Sequence, residues 1–107
     1  MRSKDTGALT EVSLLILLSL YEPRHGYAMM QYIEKQTDGR LKLGAGSLYG
    51  AINNLAAKEW IVSLSAADSR RVTYQITPQG QQVVQSELRR LRQLLNLVEK
   101  TIGGEHE

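Results

Sequence analysis

The chain has 107 residues, a formal net charge of +2, a pI of about 9.0 and no cysteine. This length fits one domain, near the size at which a partner subunit helps to cover the core. The absence of cysteine excludes disulfide bonds and thiolate metal sites and fits a reducing compartment, so we expect a cytoplasmic protein. The small positive charge permits nucleic-acid binding without requiring it.

An apolar stretch at residues 12–20 predicts a first helix that is buried on more than one side. The stretch is shorter than the roughly 20 residues of a membrane span, and no signal-peptide cleavage site follows it. Thr10 is the expected N-cap, and the helix should run to about Tyr21. Because the helix is apolar nearly all round, we expect a second subunit to cover one face. Residues 1–8 are polar and are predicted to form a flexible arm.

A second helix is predicted after a turn at Pro23. It should run over residues 27–36, where Tyr27, Met30 and Ile33 are spaced as a core-facing stripe. A short link that contains glycines then leads to a third helix. Two helices joined in this way predict a helix-turn-helix.

The third helix carries the main functional signal. Leu48, Ile52 and Leu55 form one apolar stripe, and Gly46 or Ser47 is the expected N-cap. The opposite face is small, polar and free of acids, so it can approach phosphates and base edges; a simply solvated face is the alternative. The candidate DNA-contacting residues on this helix and in the link before it are Ser47, Tyr49, Gly50, Asn53, Asn54, Lys58 and Lys42.

Two short strands, at residues 61–65 and 72–77, are predicted to form a β-hairpin after the third helix. The polar turn between them carries Arg70 and Arg71, which are candidate contacts to the phosphate backbone or the minor groove. Charge that only keeps an edge hairpin from aggregating is the alternative. A hairpin in this position makes the fold a winged helix-turn-helix, predicted to span residues 9–77.

A long last helix is predicted over residues 78–102, with Thr77 as its N-cap and Pro78 at its first position. Its apolar residues alternate steps of four and three, as in a coiled-coil seam, so we expect it to pack on a second copy of the chain. Residues 103–107 should be a disordered tail. The candidate dimerisation residues of the first and last helices are Leu14, Leu17, Leu18, Val84, Leu88, Leu91, Leu95, Val98 and Ile102.

Three local strings resemble the PadR family of bacterial transcriptional regulators, in its short form with one C-terminal helix. They are His25-Gly26-Tyr27, then Gly46-Ser47-Leu48-Tyr49, and the segment from Arg71 through Thr77 that is closed by Pro78-Gln79-Gly80. The resemblance implies a mostly helical fold with a small β-hairpin. It also implies a homodimer that binds a two-fold-related DNA operator, usually as a repressor, with a small effector at the dimer interface. His25 and Tyr27 are expected to have structural roles.

The chain also departs from the family pattern. Its wing lacks the tip rich in glycine and basic residues of many relatives, and Trp60 stands where relatives often carry glycine, which predicts a core or hinge anchor. The last helix has no aromatic residue, so drug binding between tryptophans at the dimer centre is not supported.

The sequence offers no convergent set of catalytic groups and no metal-ligand spacing, so we predict neither an enzyme nor a cofactor. The other open interpretation is a winged helix that contacts only proteins, without specific DNA binding.

Overall fold

The computed structural model describes residues 8–65 and 71–104 as a mostly helical chain with a small antiparallel sheet. This architecture confirms the predicted fold class. Among the described residues, no helix combines the length and apolar character that crossing a membrane requires. The elements in chain order are α1 (Glu11–Ser19), β1 (Arg24–His25), α2 (Gly26–Gln36), α3 (Ala45–Ala57), β2 (Ile61–Ser63), β3 (Thr73–Ile76) and α4 (Pro78–Ile102).

The first helix begins where its cap predicts. The Thr10 side-chain oxygen accepts a hydrogen bond from the Ser13 backbone N–H at 3.1 Å, which satisfies one of the unpaired donors at the helix start. The helix ends at Ser19, slightly earlier than expected. Leu17 is fully buried in the core of its own protomer, so its assignment to the dimer interface was wrong.

The second helix begins at Gly26, with His25 as its N-cap. Its buried positions are Gly26, Met29 and Ile33, whereas Tyr27 is 59% exposed. The prediction that Tyr27 faces the core was therefore wrong. One residue along a helix corresponds to a rotation of about 100°, so Tyr27 follows a buried glycine but points toward solvent.

Both helices of the helix-turn-helix end with an acidic residue in the left-handed region. Asp38 has φ 53° after α2, and Glu59 has φ 65° after α3. At the end of α3 the Trp60 N–H donates to the Leu55 carbonyl at 3.1 Å. This pattern is a Schellman motif, in which glycine is the common residue at the left-handed position.

The sheet has three strands in the order β1-β3-β2, one more strand than the sequence predicts. The additional strand, β1, pairs with β3 through Arg24 opposite Tyr74 and His25 opposite Thr73. Two residues are too few to give a periodic sequence pattern, so only the partner strand reveals them. The hairpin strands are shorter than predicted, and the turn that contains Arg70 lies outside the described residues.

The core lies where α1, α2, α3 and the sheet meet, and the first half of α4 covers it. The predicted cap of α4 is confirmed, since Thr77 Oγ1 accepts from the Gly80 N–H at 3.0 Å and Pro78 takes the first position. Trp60 packs against the core as expected. Residues 91–104 are all exposed. The predicted arm and tail lie mostly outside the described residues, which omit 1–7 and 105–107.

Candidate nucleic-acid interface

The third helix has the two-sided character that its sequence predicts. Leu48, Ile52 and Leu55 are buried and hold the helix on the core. The other side faces solvent as a continuous surface without an acidic side chain. The exposed residues there are Ser47, Tyr49, Gly50, Asn53, Asn54 and Lys58.

The start of α3 differs from the prediction by two to three residues. Gly44, rather than Gly46 or Ser47, is the N-cap, and its carbonyl accepts the Leu48 N–H at 3.0 Å. Gly44 has extended backbone angles and no side-chain hydrogen bond to the helix start. Ser47 is therefore the third helical residue, and its hydroxyl is exposed in the first turn, where the helix dipole is positive.

Tyr49 joins the third helix to the start of the second. Gly26 is buried directly under the ring: a Cβ added there would overlap the Tyr49 hydroxyl and lie 2.7 Å from its Cζ. A side chain at position 26 would displace the Tyr49 ring from this position. Tyr49 is still 45% exposed, so one face of it packs on α2 while the other remains on the surface.

A cleft of about 430 Å³ lies between the start of α2, the third helix and the base of the wing. Its walls combine three tyrosines with a histidine and an arginine, which gives it hydrogen-bond donors and aromatic surface together. The residues that line it are His25, Gly26, Tyr27, Tyr49, Arg71, Val72 and Tyr74. Tyr27 was not among the predicted contact residues, and its position beside Tyr49 is visible only in the folded chain.

His25 has the structural role that was expected of it. Its Nδ1 accepts a hydrogen bond from the Ala28 backbone N–H at 3.2 Å and caps α2. On the other side of the ring, Nε2 lies 3.3 Å from Arg71 Nη1. The side chain therefore stands between the helix-turn-helix and the wing, and it brings Arg71 to the same surface as α3.

The base of the wing is closed by a side-chain bridge. Ser65 Oγ accepts the Thr73 N–H at 2.6 Å and donates to the Arg71 carbonyl at 3.1 Å. The Leu64 N–H extends the ladder to the Thr73 carbonyl at 2.8 Å. These bonds fix where the hairpin leaves the sheet, while the other predicted tip residue, Arg70, lies outside the described residues.

Two predicted lysine contacts have intramolecular partners. Lys58 Nζ lies 4.7 Å from the centre of the Trp60 ring, within the range of a cation–π interaction. Lys42 Nζ lies 3.9 Å from Glu34 Oε2, and both side chains are more than half exposed. Exposed pairs of this kind are weak, so either ammonium group can turn to another anion at little cost.

The candidate dimerisation surface is an apolar stripe along α4 that continues onto α1. Leu88, Leu91, Leu95, Val98 and Ile102 are all exposed in the single chain. A small groove of about 150 Å³ lies between the two helices. It is lined by Leu14, Leu18, Val84, Glu87, Leu88 and Leu91.

Glu87 is the charged residue at the bottom of this groove and is only 2% exposed. Its carboxylate forms two hydrogen bonds with the Arg90 guanidinium, one of them from Nε at 3.0 Å. These bonds, rather than the opposing effect of burial, hold the pKa of Glu87 below its usual value, with a smaller contribution from the backbone of Leu9. The pair therefore remains ionised within an apolar surface.

No group of three or more His, Asp or Glu side chains in the described part of the chain is arranged to hold a metal ion. The exposed surface of α3 and the wing offers hydrogen-bond donors, amides and aromatic faces instead. Such groups bind phosphates and base edges without any bond being made or broken.

Comparisons of the sequence and of the structure with known proteins agree on one family. A family model described as the transcriptional regulator PadR-like family matches residues 14–86. A transcriptional regulator from Clostridium thermocellum has a similar structure, with a TM-score of 0.69 and 27% identity over 90% of each chain. A PadR family transcriptional regulator from Eggerthella lenta, at 23% identity, matches in fold with a TM-score of 0.71 over 90% of this chain and 83% of that chain.

One curated relative is longer than this chain. It is an uncharacterized 37.1 kDa protein in transposon TN4556 of Streptomyces fradiae, 34% identical over 85 residues. The match covers 78% of this chain and 24% of that protein. The chain thus spans about a quarter of the length of this relative.

Proposed function

The chain belongs to the PadR-like family of transcriptional regulators, and we propose that it acts in the cytoplasm as a homodimer that binds a two-fold-related DNA operator. In this proposal it represses transcription and is released by a small effector. It has no catalytic activity and needs no cofactor. The observation that carries the proposal is the exposed face of α3, which is polar, free of acids and flanked by a wing whose Arg71 points to the same side.

The third helix would enter the major groove. Asn53 and Asn54 are the candidates for reading base edges, since an amide side chain can form two hydrogen bonds with the edge of adenine. Ser47, Gly50 and Lys58 are the candidates for close backbone and phosphate contact. Tyr49 would contact the DNA with the side of its ring that α2 leaves open.

The wing and the start of α2 would contact the flanking backbone. Arg71 and Tyr27 both line the cleft beside α3, so they can approach the same strand as that helix does. Arg70 and Lys42 are proposed to add affinity by neutralising phosphates. These residues would not select bases, because phosphates carry no sequence information.

The apolar stripe of α4 and the outer face of α1 would join two copies. Each copy would then place one third helix in a major groove, with half-sites about 34 Å apart, or one turn of DNA. An effector would bind where the two copies meet. Within one protomer the groove at Leu88 holds about 150 Å³, less than the roughly 300 Å³ of a typical ligand site, so in this proposal the second copy supplies the rest of the pocket.

Salt-dependent binding to selected DNA tests the proposal. The protein is incubated with a library of randomised duplexes, and the bound sequences are recovered. Fluorescence anisotropy then measures the affinity for the most enriched sequence and for a scrambled duplex at several salt concentrations. We expect a recurrent sequence with two half-sites and a log–log salt slope of about −0.9 per phosphate contacted. No enriched sequence and a flat salt response would instead favour a winged helix that contacts only proteins.

A further inference from the structure

The end of β3 and the residue that follows it, Thr77, bond to the ends of two helices. The Ile76 N–H donates to the Leu20 carbonyl at 2.9 Å, at the end of α1. The Thr77 N–H donates to the Trp60 carbonyl at 3.0 Å, and Thr77 Oγ1 donates to the Glu59 carbonyl at 2.8 Å, both just after α3. We call Thr77, Gly80 and these carbonyl groups the Thr77 junction.

The Thr77 hydroxyl uses both of its hydrogen-bonding roles in this junction. Its oxygen accepts the Gly80 N–H at 3.0 Å as the N-cap of α4, while its proton goes to the Glu59 carbonyl. One side chain therefore starts the long helix and ties that start to the end of the third helix. Capping alone would need only the acceptor.

Gly80 makes the contact between α4 and the segment after α3 unusually close. A Cβ at this position would overlap the Trp60 carbonyl oxygen and lie 2.8 Å from Ile76 Cγ1. The first turn of α4 thus lies directly on the Trp60 backbone and against the Ile76 side chain. Backbone contacts of this kind leave little freedom for one element to pivot on the other.

The end of α3 is closed by backbone hydrogen bonds. The Schellman motif at Glu59 closes its last turn through the Trp60 N–H, so the carbonyl groups that Thr77 contacts belong to the same fixed unit as the helix. Movement of the start of α4 must therefore move the third helix with it.

We propose that Thr77 is a positioning residue that sets the distance and orientation between the two third helices of a dimer, and thereby the half-site spacing of the operator. The inference rests on the proposed function, since it requires a dimer joined through α4 and DNA read by α3. Thr77 itself touches no DNA in this proposal. It acts through the rigid path from α4 to Glu59 and Trp60 to α3.

The test compares operators that differ only in spacing. Half-sites selected from the randomised library by the wild-type protein are placed in duplexes with zero, one or two base pairs inserted or removed between them. One base pair moves a half-site by about 3.4 Å and rotates it by about 34°. We expect the wild-type dimer to lose at least about tenfold in affinity for each such change.

Thr77→Val keeps the shape of the side chain and removes the hydroxyl. We expect its affinity to vary less than about threefold across the spacing series, while its affinity for a single half-site stays near the wild-type value because the face of α3 is unaltered. Thr77→Ser keeps the hydroxyl and should restore the wild-type dependence. Thr101→Val, the same change at an exposed position near the end of α4, is the matched control.

Gly80→Ala provides a second, independent variant if Thr77→Val does not fold, as judged by circular dichroism and sedimentation. Its methyl group must push α4 away from Trp60, so the preferred spacing should shift or broaden. An unchanged spacing profile in the folded variants would overturn this inference alone. A wild-type protein that selects no paired half-sites would overturn the proposed function and, with it, the inference.

Discussion

At the scale of single residues, some side chains around α3 both pack against the fold and remain available at the surface. Tyr49 closes over Gly26 and yet keeps nearly half its area in solvent. His25 caps α2 with one ring nitrogen and approaches Arg71 with the other. Substituting such residues would change both the fold and the binding. Asn53 and Asn54 have exposed side chains and are therefore cleaner probes of DNA contact.

Asn53→Ala and Asn54→Ala should change which operator bases matter. Loss of an amide that pairs with a base costs about 1–3 kcal/mol of discrimination at that position. Lys58→Ala should weaken binding to all sequences alike and reduce the salt slope by about 1, since it removes one phosphate contact. Affinity for a panel of single-base operator variants distinguishes these outcomes. Uniform weakening by both asparagine variants would contradict base reading by α3.

At the scale of elements, the apolar contact between α1 and α4 includes one buried charge, Glu87. Glu87 lies almost completely buried beside Leu14 and Leu18 and pairs with Arg90 one turn later. Its hydrogen bonds to Arg90 lower the pKa of the carboxyl. A group whose pKa is lower in the folded state stabilises the fold above its unfolded pKa, and that stabilisation is lost as pH falls.

The free energy of unfolding should therefore decrease as pH falls below about 4.5, the ordinary value for a glutamate. Glu87→Gln should be less stable than the wild type at neutral pH and should show a flatter pH dependence below that value. Urea denaturation between pH 3 and pH 7 measures both effects. Glu11→Gln is the matched control. A hydrogen bond from Arg40 also lowers the pKa of Glu11, but solvent screens this exposed pair. The control should therefore change the pH dependence of stability less than Glu87→Gln does. Equal pH profiles for wild type and Glu87→Gln would contradict this account.

At the scale of the whole molecule, α4 extends far beyond the part of the chain that it covers. Its 25 residues make a helix about 37 Å long, and the molecule measures 62 Å along its longest axis. The exposed leucines on the outer half continue the stripe that begins at the α1 groove. A long apolar stripe in water is typical of an interface, which is why we infer a second copy.

Leu91→Glu combined with Leu95→Glu should abolish the dimer, because two like charges would be buried opposite their copies. Sedimentation velocity should show a monomer whose circular dichroism remains helical, and operator affinity should fall to that of a single half-site. Gln93→Glu combined with Asn96→Glu adds the same two charges to another face of α4 and should leave the dimer intact. A double leucine variant that still sediments as a dimer would rule out this stripe as the interface.

Much of the fold follows from local sequence signals. The caps at Thr10 and Thr77, the apolar stripe of α3 and the seam of α4 each depend on residues within a few turns of one another. Local hydrogen bonds and helical periodicity are enough to predict such features. The same periodicity predicts which residues of α3 are exposed, and thus the candidate DNA-contacting face.

Only the tertiary structure decided the features that depend on distant partners. The strand at Arg24 and His25 exists because β3 lies beside it, Tyr27 is exposed because α2 is rotated by one position, and Leu17 is covered by its own domain. The cleft beside Tyr49 and the Thr77 junction likewise join segments more than fifteen residues apart. The sequence by itself determined the helices, the wing and the family, because these depend on residues that are close together in the sequence. How α4 is tied to α3 depended on packing, since no local pattern specifies a contact between remote backbones.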